Sequence, residues 1–187
     1  MNLPASAPIL VVINGIPGTG KSTLARALAA ELSMPYLCSD DIKELLLDKI
    51  GTGDMSWSRD LGDITTDMLF VLVDGLLAKG RSIIIESAFP KNFAQSRFQH
   101  LLSQRAVRFI EVYCRTEPGV RRQRFIARSE SGARHPGHFD HLYYNMPDKE
   151  WLVRHAPLAI GQLIEIDTTE ALSSRQLSEI IRRVRSI

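Results

Sequence analysis

Residues Gly15-Ile16-Pro17-Gly18-Thr19-Gly20-Lys21-Ser22 satisfy every fixed position of the phosphate-loop pattern, two glycines spaced around four free positions and followed by Lys and Ser. The glycines let the backbone turn with its N–H groups facing inward, a nest for phosphate oxygens. A helix beginning near Gly20 aims its unsatisfied amides and the positive end of its dipole at the same anion. In that setting Lys21 reaches the β- and γ-phosphates, the Ser22 hydroxyl is a ligand for Mg²⁺, and Thr23 is placed for the α-phosphate. The chemistry is nucleoside triphosphate binding, and the loop alone does not identify an acceptor.

Other charged residues fall where such a site needs them. Asp40 and Asp41 follow Pro35-Tyr36-Leu37-Cys38, a short strand pattern. Carboxylates at a strand's carboxyl end border the ligand crevice of a doubly wound sheet. One can accept the proton of an attacking hydroxyl, and one can cap the helix beginning at Ile42. Glu86 ends the apolar run Ile83-Ile84-Ile85, a position for holding Mg²⁺ directly or through water, or for orienting an acceptor. Ser87, next in the chain, is a candidate acceptor contact. From Arg105 to Arg134 there are eight arginines, no lysine and three glutamates. Planar, bidentate phosphate recognition selects Arg over Lys. Arg121, Arg124 and Arg128 share one helical face, with Val120 and Phe125 able to pack inward. His135, His138 and His141 flank Asp140, but Pro136 and Gly137 interrupt any helix and no cysteine is near. Polar contacts in a lid fit this cluster better than zinc. For Tyr143, Tyr144 and Trp151, packing is the default and stacking on an acceptor the alternative.

The elements that must position these residues alternate. Ile9–Ile13 is a β-branched run, the mark of a strand covered on both faces. Leu24, Leu28 and Leu32 keep helical spacing after the loop, and a helix is expected over Ile42–Lys49. Gly51–Ser58 is polar; Ile64, Met68, Leu72 and Leu76 then keep helical spacing until Gly80. Strands follow at Ile83–Ile85, Val107–Cys114 and Leu163–Ile166. Helices are expected at Phe93–Gln104, from Pro118 to about Arg128, at Trp151–Ala156, and along Leu177, Ile180, Ile181 and Val184. Ser129–Pro147 lacks periodicity and reads as a mobile loop or lid. Strands alternating with helices imply an α/β fold with a mainly parallel sheet and right-handed crossovers. No repeat or linker divides residues 1–187, so one domain is expected, with its lid at about 118–147.

Composition narrows the classes. The 187 residues are 44% hydrophobic and 24% charged, with a net charge of +2, values of an ordinary globular chain. So small a charge does not support a protein that coats nucleic acid. Two cysteines, Cys38 and Cys114, cannot build a disulfide framework and suit a reducing compartment. Met1-Asn2-Leu3-Pro4-Ala5 lacks a basic leader region, and no apolar run has the length of a membrane span. A cytoplasmic protein is expected. Nothing bears on oligomeric state. The Asn-Lys-x-Asp motif of a GTPase is missing, and Asp48-Lys49-Ile50-Gly51 mimics its switch motif at a helix end rather than after a buried strand. The further helical domain of a ring-forming ATPase has no room. A small kinase fits the length.

The chain resembles the small P-loop kinases and AAA-type ATP-binding proteins that include the polynucleotide kinase domain, chloramphenicol phosphotransferase and the zeta toxins. The resemblance runs through nearly the whole chain. It rests on the phosphate loop, Cys38-Ser39-Asp40-Asp41-Ile42-Lys43, Ile84-Ile85-Glu86-Ser87, the Arg-rich helix, and Arg134-His135-Pro136-Gly137-His138. It implies a five-stranded parallel sheet in 2-3-1-4-5 order with an Arg-bearing lid, and ATP with Mg²⁺ as donor. It matches Asp40 to the family's general base, leaving Asp41 as the cap. Lys43 falls where polynucleotide kinases place an Arg for a nucleic-acid phosphate, and Lys lacks that bidentate fork. Arg124 and Arg128 match the spacing of lid arginines that stabilise the transferred phosphoryl group, with Arg128 the first choice and Arg122 and Arg115 further candidates. Many relatives carry Asp where Glu86 stands. Ile166-Asp167-Thr168-Thr169 matches an adenine-side loop. The expected activity is transfer of the γ-phosphoryl group to a hydroxyl of a small-molecule acceptor. The alternatives are a polynucleotide 5′-kinase and a toxin-like or regulatory ATP-binding module.

Overall fold

The computed structural model describes residues 7–186, so Met1–Ala5 lie outside the described residues. In chain order the elements are β1 (Ile9–Asn14), α1 (Lys21–Leu32), β2 (Tyr36–Cys38), α2 (Ser39–Ile50), α3 (Met55–Ala78), β3 (Ile83–Glu86), α4 (Lys91–Gln104), β4 (Arg108–Arg115), α5 (Pro118–Glu130), α6 (Asp148–Arg154), β5 (Gln162–Asp167) and α7 (Ser174–Arg185). The strands form a parallel sheet in the order β2-β3-β1-β4-β5, as expected.

Both faces of this sheet are covered, which is why its central strands are apolar at nearly every position. Leu10 and Val12 pack with Leu69, Val73 and Phe98 from α3 and α4. Val11 and Ile13 turn to the opposite face, against Leu24 and Leu28 of α1 and Ile180 and Val184 of α7. Burying each such side chain contributes roughly 1.5–3 kcal/mol, so a polar residue among them needs a partner of its own. Glu111, fully buried in β4, accepts from Asn14 Nδ2 at 2.9 Å and from the Leu158 amide at 2.8 Å. Register places Ile13 opposite Glu86 and Val112, and Cys38 opposite Glu86. The phosphate loop, the start of α2 and the segment after β3 therefore leave the sheet along one edge.

Three local readings are corrected. Helix α2 begins at Ser39 rather than Ile42, so Asp40 and Asp41 lie within its first turn. Helix α3 begins at Met55, where Asp54 caps it by accepting from the Trp57 amide at 3.0 Å. Its buried side is Ser58, Leu61, Thr65, Leu69, Val73 and Leu77, while Ile64, Met68 and Leu72 are exposed. Apolar residues surround the C-terminal half of α3 on all sides, so periodicity there does not select a face. Finally, residues 131–147 contain two 3₁₀ turns, Pro136–His138 and Asp140–Tyr143, that bury Gly137, His138 and Asp140. Among the described residues, no helix is long and apolar enough to cross a membrane.

Candidate active site

Gly15 has φ 140° and Gly18 has φ 89°, a backbone region that side chains rarely adopt. A Cβ on Gly18 would stand 2.5 Å from the Arg121 carbonyl oxygen, and one on Gly15 2.6 Å from that of Cys114. The loop is pressed onto β4 and α5, and only glycine permits that approach. Asn14 Oδ1 accepts from the Gly15 amide at 2.8 Å, Thr19 Oγ1 donates to the Ile16 carbonyl at 2.8 Å, and Thr168 Oγ1 donates to the Thr19 carbonyl at 2.7 Å. The first turn of α1 has no side-chain cap and no acidic residue, leaving its amides and dipole for an anion.

Buried Lys21 donates through Nζ to the Ile16 carbonyl at 3.0 Å. Burial holds its pKa below the ordinary lysine value, with Glu86, Cys114 and Asp40 pulling upward. Ser22 Oγ donates to Glu86 Oε2 at 3.0 Å, and Cys38 Sγ approaches the same oxygen at 3.0 Å. Burial first, then the charge of Glu86, pushes the Cys38 thiol well above the usual range, so it stays protonated. A serine hydroxyl facing a buried carboxylate beside the phosphate nest is a hard-oxygen donor set. It fits Mg²⁺, which takes few protein ligands and completes its shell with phosphate and water.

Asp40 is ion-paired to the Arg134 guanidinium. Desolvation in the crevice opposes its charge, but the guanidinium of Arg134, with Arg128 adding to it, outweighs it and holds the carboxyl well below the usual range. Arg134 also donates to Asp140 Oδ2 at 3.1 Å and to His138 Nδ1 at 3.1 Å. Arginine only donates, so Nδ1 of His138 is the acceptor and Nε2 carries the proton, which it gives to Glu44 Oε1 at 3.0 Å. Burial, with Arg134 next, pushes His138 down to about 3, in keeping with that neutral tautomer.

The remaining candidates divide. Asp41 is exposed, 3.8 Å from Arg26, and makes no capping hydrogen bond. The cap expected of it is not formed; α2 starts directly off β2, with the acidic first turn facing the helix dipole. Lys43 Nζ donates to Ser58 Oγ at 2.9 Å, and Ser58 Oγ donates to the Gly137 carbonyl at 2.6 Å, fastening the 3₁₀ turn to α2 and α3. Ser87 Oγ accepts from Ser39 Oγ at 2.7 Å. Arg124 donates to the Thr168 and Thr169 carbonyls, both at 2.6 Å, so it braces the loop after β5. Arg128 lies 3.4 Å from Asp140 and is partly exposed. Arg121 is buried against Asp148 and donates to the Pro17 carbonyl at 3.3 Å, supporting the phosphate loop from below. Arg122 bonds Asn145, and Arg115 pairs with Glu165 in a largely exposed bridge. Lys21, Ser22, Thr23, Asp40, Asp41, Lys43, Glu86, Ser87, Arg124 and Arg128 all line one cavity of about 840 Å³. Sequence reasoning gave no site role to Arg134, Glu44, Thr65 or His155, which line the same cavity.

Residues 10–142 match the AAA domain family. The chain belongs to that family. A kinase of Chloroflexus aurantiacus J-10-fl, so assigned provisionally, shares 35% identity with this AAA domain protein over 96% of its chain and 98% of the other, at a TM-score of 0.85. At 19% identity it aligns with a shikimate kinase of Acinetobacter baumannii, covering 98% of each chain at a TM-score of 0.60. At 18% it aligns with a sugar kinase of Janibacter sp. HTCC2649, covering 96% of this chain and 93% of that one at 0.55. The last two share the fold alone. No curated protein matches the sequence. Family and fold together place this AAA domain protein among the small P-loop kinases.

Proposed function

We propose that this protein is an ATP-dependent phosphotransferase acting on a hydroxyl of a small-molecule acceptor, as a single domain with a lid at about 118–147. The observation that carries the reading is one cavity lined by the phosphate loop, the Ser22–Glu86 pair and the ionised Asp40. Its volume lies within the ~300–1,000 Å³ usual for small-ligand sites.

The triphosphate sits on the amides of Gly15–Thr23, with Lys21 against the β- and γ-phosphates. Ser22 and Glu86 hold Mg²⁺, which supplies charge neutralisation on the phosphate oxygens. The acceptor hydroxyl donates to Asp40, whose carboxylate orients the oxygen toward the γ-phosphorus. Its low pKa makes Asp40 a weak base in the ground state, and a loose phosphoryl transfer demands a proton acceptor only late. The acceptor oxygen gains the phosphorus, the γ–β bridging oxygen leaves with ADP, and the hydroxyl proton passes to Asp40. Arg128, reaching in from the lid helix, neutralises charge on the moving group. The free, buried cysteines support action in the cytoplasm.

The test is a metabolite extract incubated with γ-labelled ATP. Wild type labels an acceptor; Asp40→Asn loses transfer by ~10²-fold or more while keeping nucleotide affinity. Transfer at the normal rate by the variant would remove Asp40 from the mechanism.

A further inference from the structure

Helix α3 carries an apolar strip that the domain leaves uncovered. Leu69, Val73 and Leu77 pack on the sheet. On the opposite side Ile64, Met68, Val71, Gly75 and Ala78 are all exposed, Val71 by 72%. Their spacing of four, three, four and three residues is the heptad seam of paired helices. Exposed Leu72 borders the seam, and none of these residues lines the cavity of the candidate active site. Scattered exposed apolar residues are ordinary, whereas a contiguous strip marks an interaction surface. Gly75 adds a second observation. Glycine destabilises a helix interior relative to alanine, yet a Cβ at this position would meet nothing within 4 Å. No contact within the chain calls for it.

We propose that this strip is the seam of a homodimer, with α3 packed antiparallel against α3 of a second copy and the two-fold axis beside Val71. The strip is complementary to itself in that arrangement. Antiparallel about Val71, Ile64 stands opposite the partner's Ala78 and Met68 opposite the partner's Gly75, a large side chain against a small one at each level. Gly75 then supplies the space that the partner's Met68 fills. A parallel pair would set Ile64 against its own copy and Gly75 against its own copy, crowded at one end and hollow at the other. Charge agrees with the antiparallel sense. Asp60 lies one turn before Ile64, Lys79 and Arg81 follow Ala78, and all three are exposed. The ion pairs along α3 are Asp67 with Arg97 and Asp74 with Arg105, leaving Asp60, Lys79 and Arg81 unpaired among the described residues. Antiparallel packing brings Asp60 toward the partner's Lys79 and Arg81; parallel packing sets like charges together. Arg59 and Asp63 line the cavity instead and take no part. The seam is roughly 20 Å long, which puts the buried area at the low end for a specific interface and the dissociation constant on the order of 10 μM.

The test is sedimentation equilibrium of the full chain from about 1 to 500 μM, where a reversible monomer–dimer equilibrium is expected. Val71→Glu places two carboxylates at the axis and leaves a monomer throughout, with its unfolding midpoint unchanged because the side chain is exposed. Gly75→Leu weakens association by about tenfold or more while the monomer becomes no less stable. Asp60→Lys weakens it several-fold, as does Lys79→Glu with Arg81→Glu, and all three substitutions together restore it. The native cysteines are buried, so thiols introduced on the seam report its register. Under mild oxidation Ile64→Cys alone stays unlinked, whereas Ile64→Cys with Ala78→Cys gives a covalent dimer. A monomer at every concentration, a dimer untouched by Val71→Glu or by Gly75→Leu, charge variants that fail to restore one another, or a covalent dimer of Ile64→Cys alone would overturn the proposal.

Discussion

Arg134→Gln tests whether Arg134 holds Asp40 as described. The side chain is 12% exposed and contacts Asp40, Asp140, Glu44 and His138. Removing one partner of a fully buried ion pair costs about 3–5 kcal/mol. Asp40 is 38% exposed and Glu44 31%, so water screens part of the charge left behind, and we expect a loss of roughly 2–3 kcal/mol at neutral pH. The pH dependence is the sharper readout. In wild type the folded-state pKa of Asp40 is lowered below its unfolded value. The stability it contributes is therefore present above the unfolded pKa of about 3.9 and is lost as pH falls through the lower folded value. Without Arg134 the leading favourable charge is gone, and protonating Asp40 in the folded state becomes easy. The gap between wild type and variant should narrow as the pH is lowered from neutral to about 4. Urea unfolding of both proteins at several pH values measures it. A gap that stays constant or widens in acid would refute the assignment of Arg134 as the group that keeps Asp40 charged.

Other substitutions give shorter tests. Gly18→Ala forces a Cβ to within 2.5 Å of the Arg121 carbonyl at φ 89°, and we expect nucleotide affinity to fall at least ~10-fold in a titration with the ATP analogue. Lys21→Ala should abolish transfer, and unchanged turnover would contradict the phosphate-loop reading. Glu86→Gln keeps the shape but removes the charge facing Ser22, so the Mg²⁺ concentration giving half-maximal activity should rise several-fold.

Much of this architecture was legible in local sequence. Continuous β-branched runs and leucines at helical spacing marked the strands and most helices, and the phosphate loop carries its chemistry in consecutive residues. What escaped depends on groups far apart in the chain. Arg134 reaches Asp40 across 94 positions, and no periodicity encodes that meeting. The buried side of α3 was not legible from spacing because Ser58 and Thr65 are polar and buried, while Ile64 and Met68, which keep helical spacing, are exposed. Arg121 and Arg124 share a helical face with Arg128 but are used for support, one beneath the phosphate loop and one under the loop after β5. Spacing groups such residues; only packing separates their tasks.

The most direct measurement is a crystal structure of the protein with a non-hydrolysable ATP analogue and Mg²⁺. The account predicts the triphosphate on the amides of Gly15–Thr23, the metal between the terminal phosphates and Ser22–Glu86, and Asp40 across an open space from the γ-phosphorus. A triphosphate bound elsewhere, or an Asp40 carboxylate turned away with no room for a hydroxyl beside it, would contradict it.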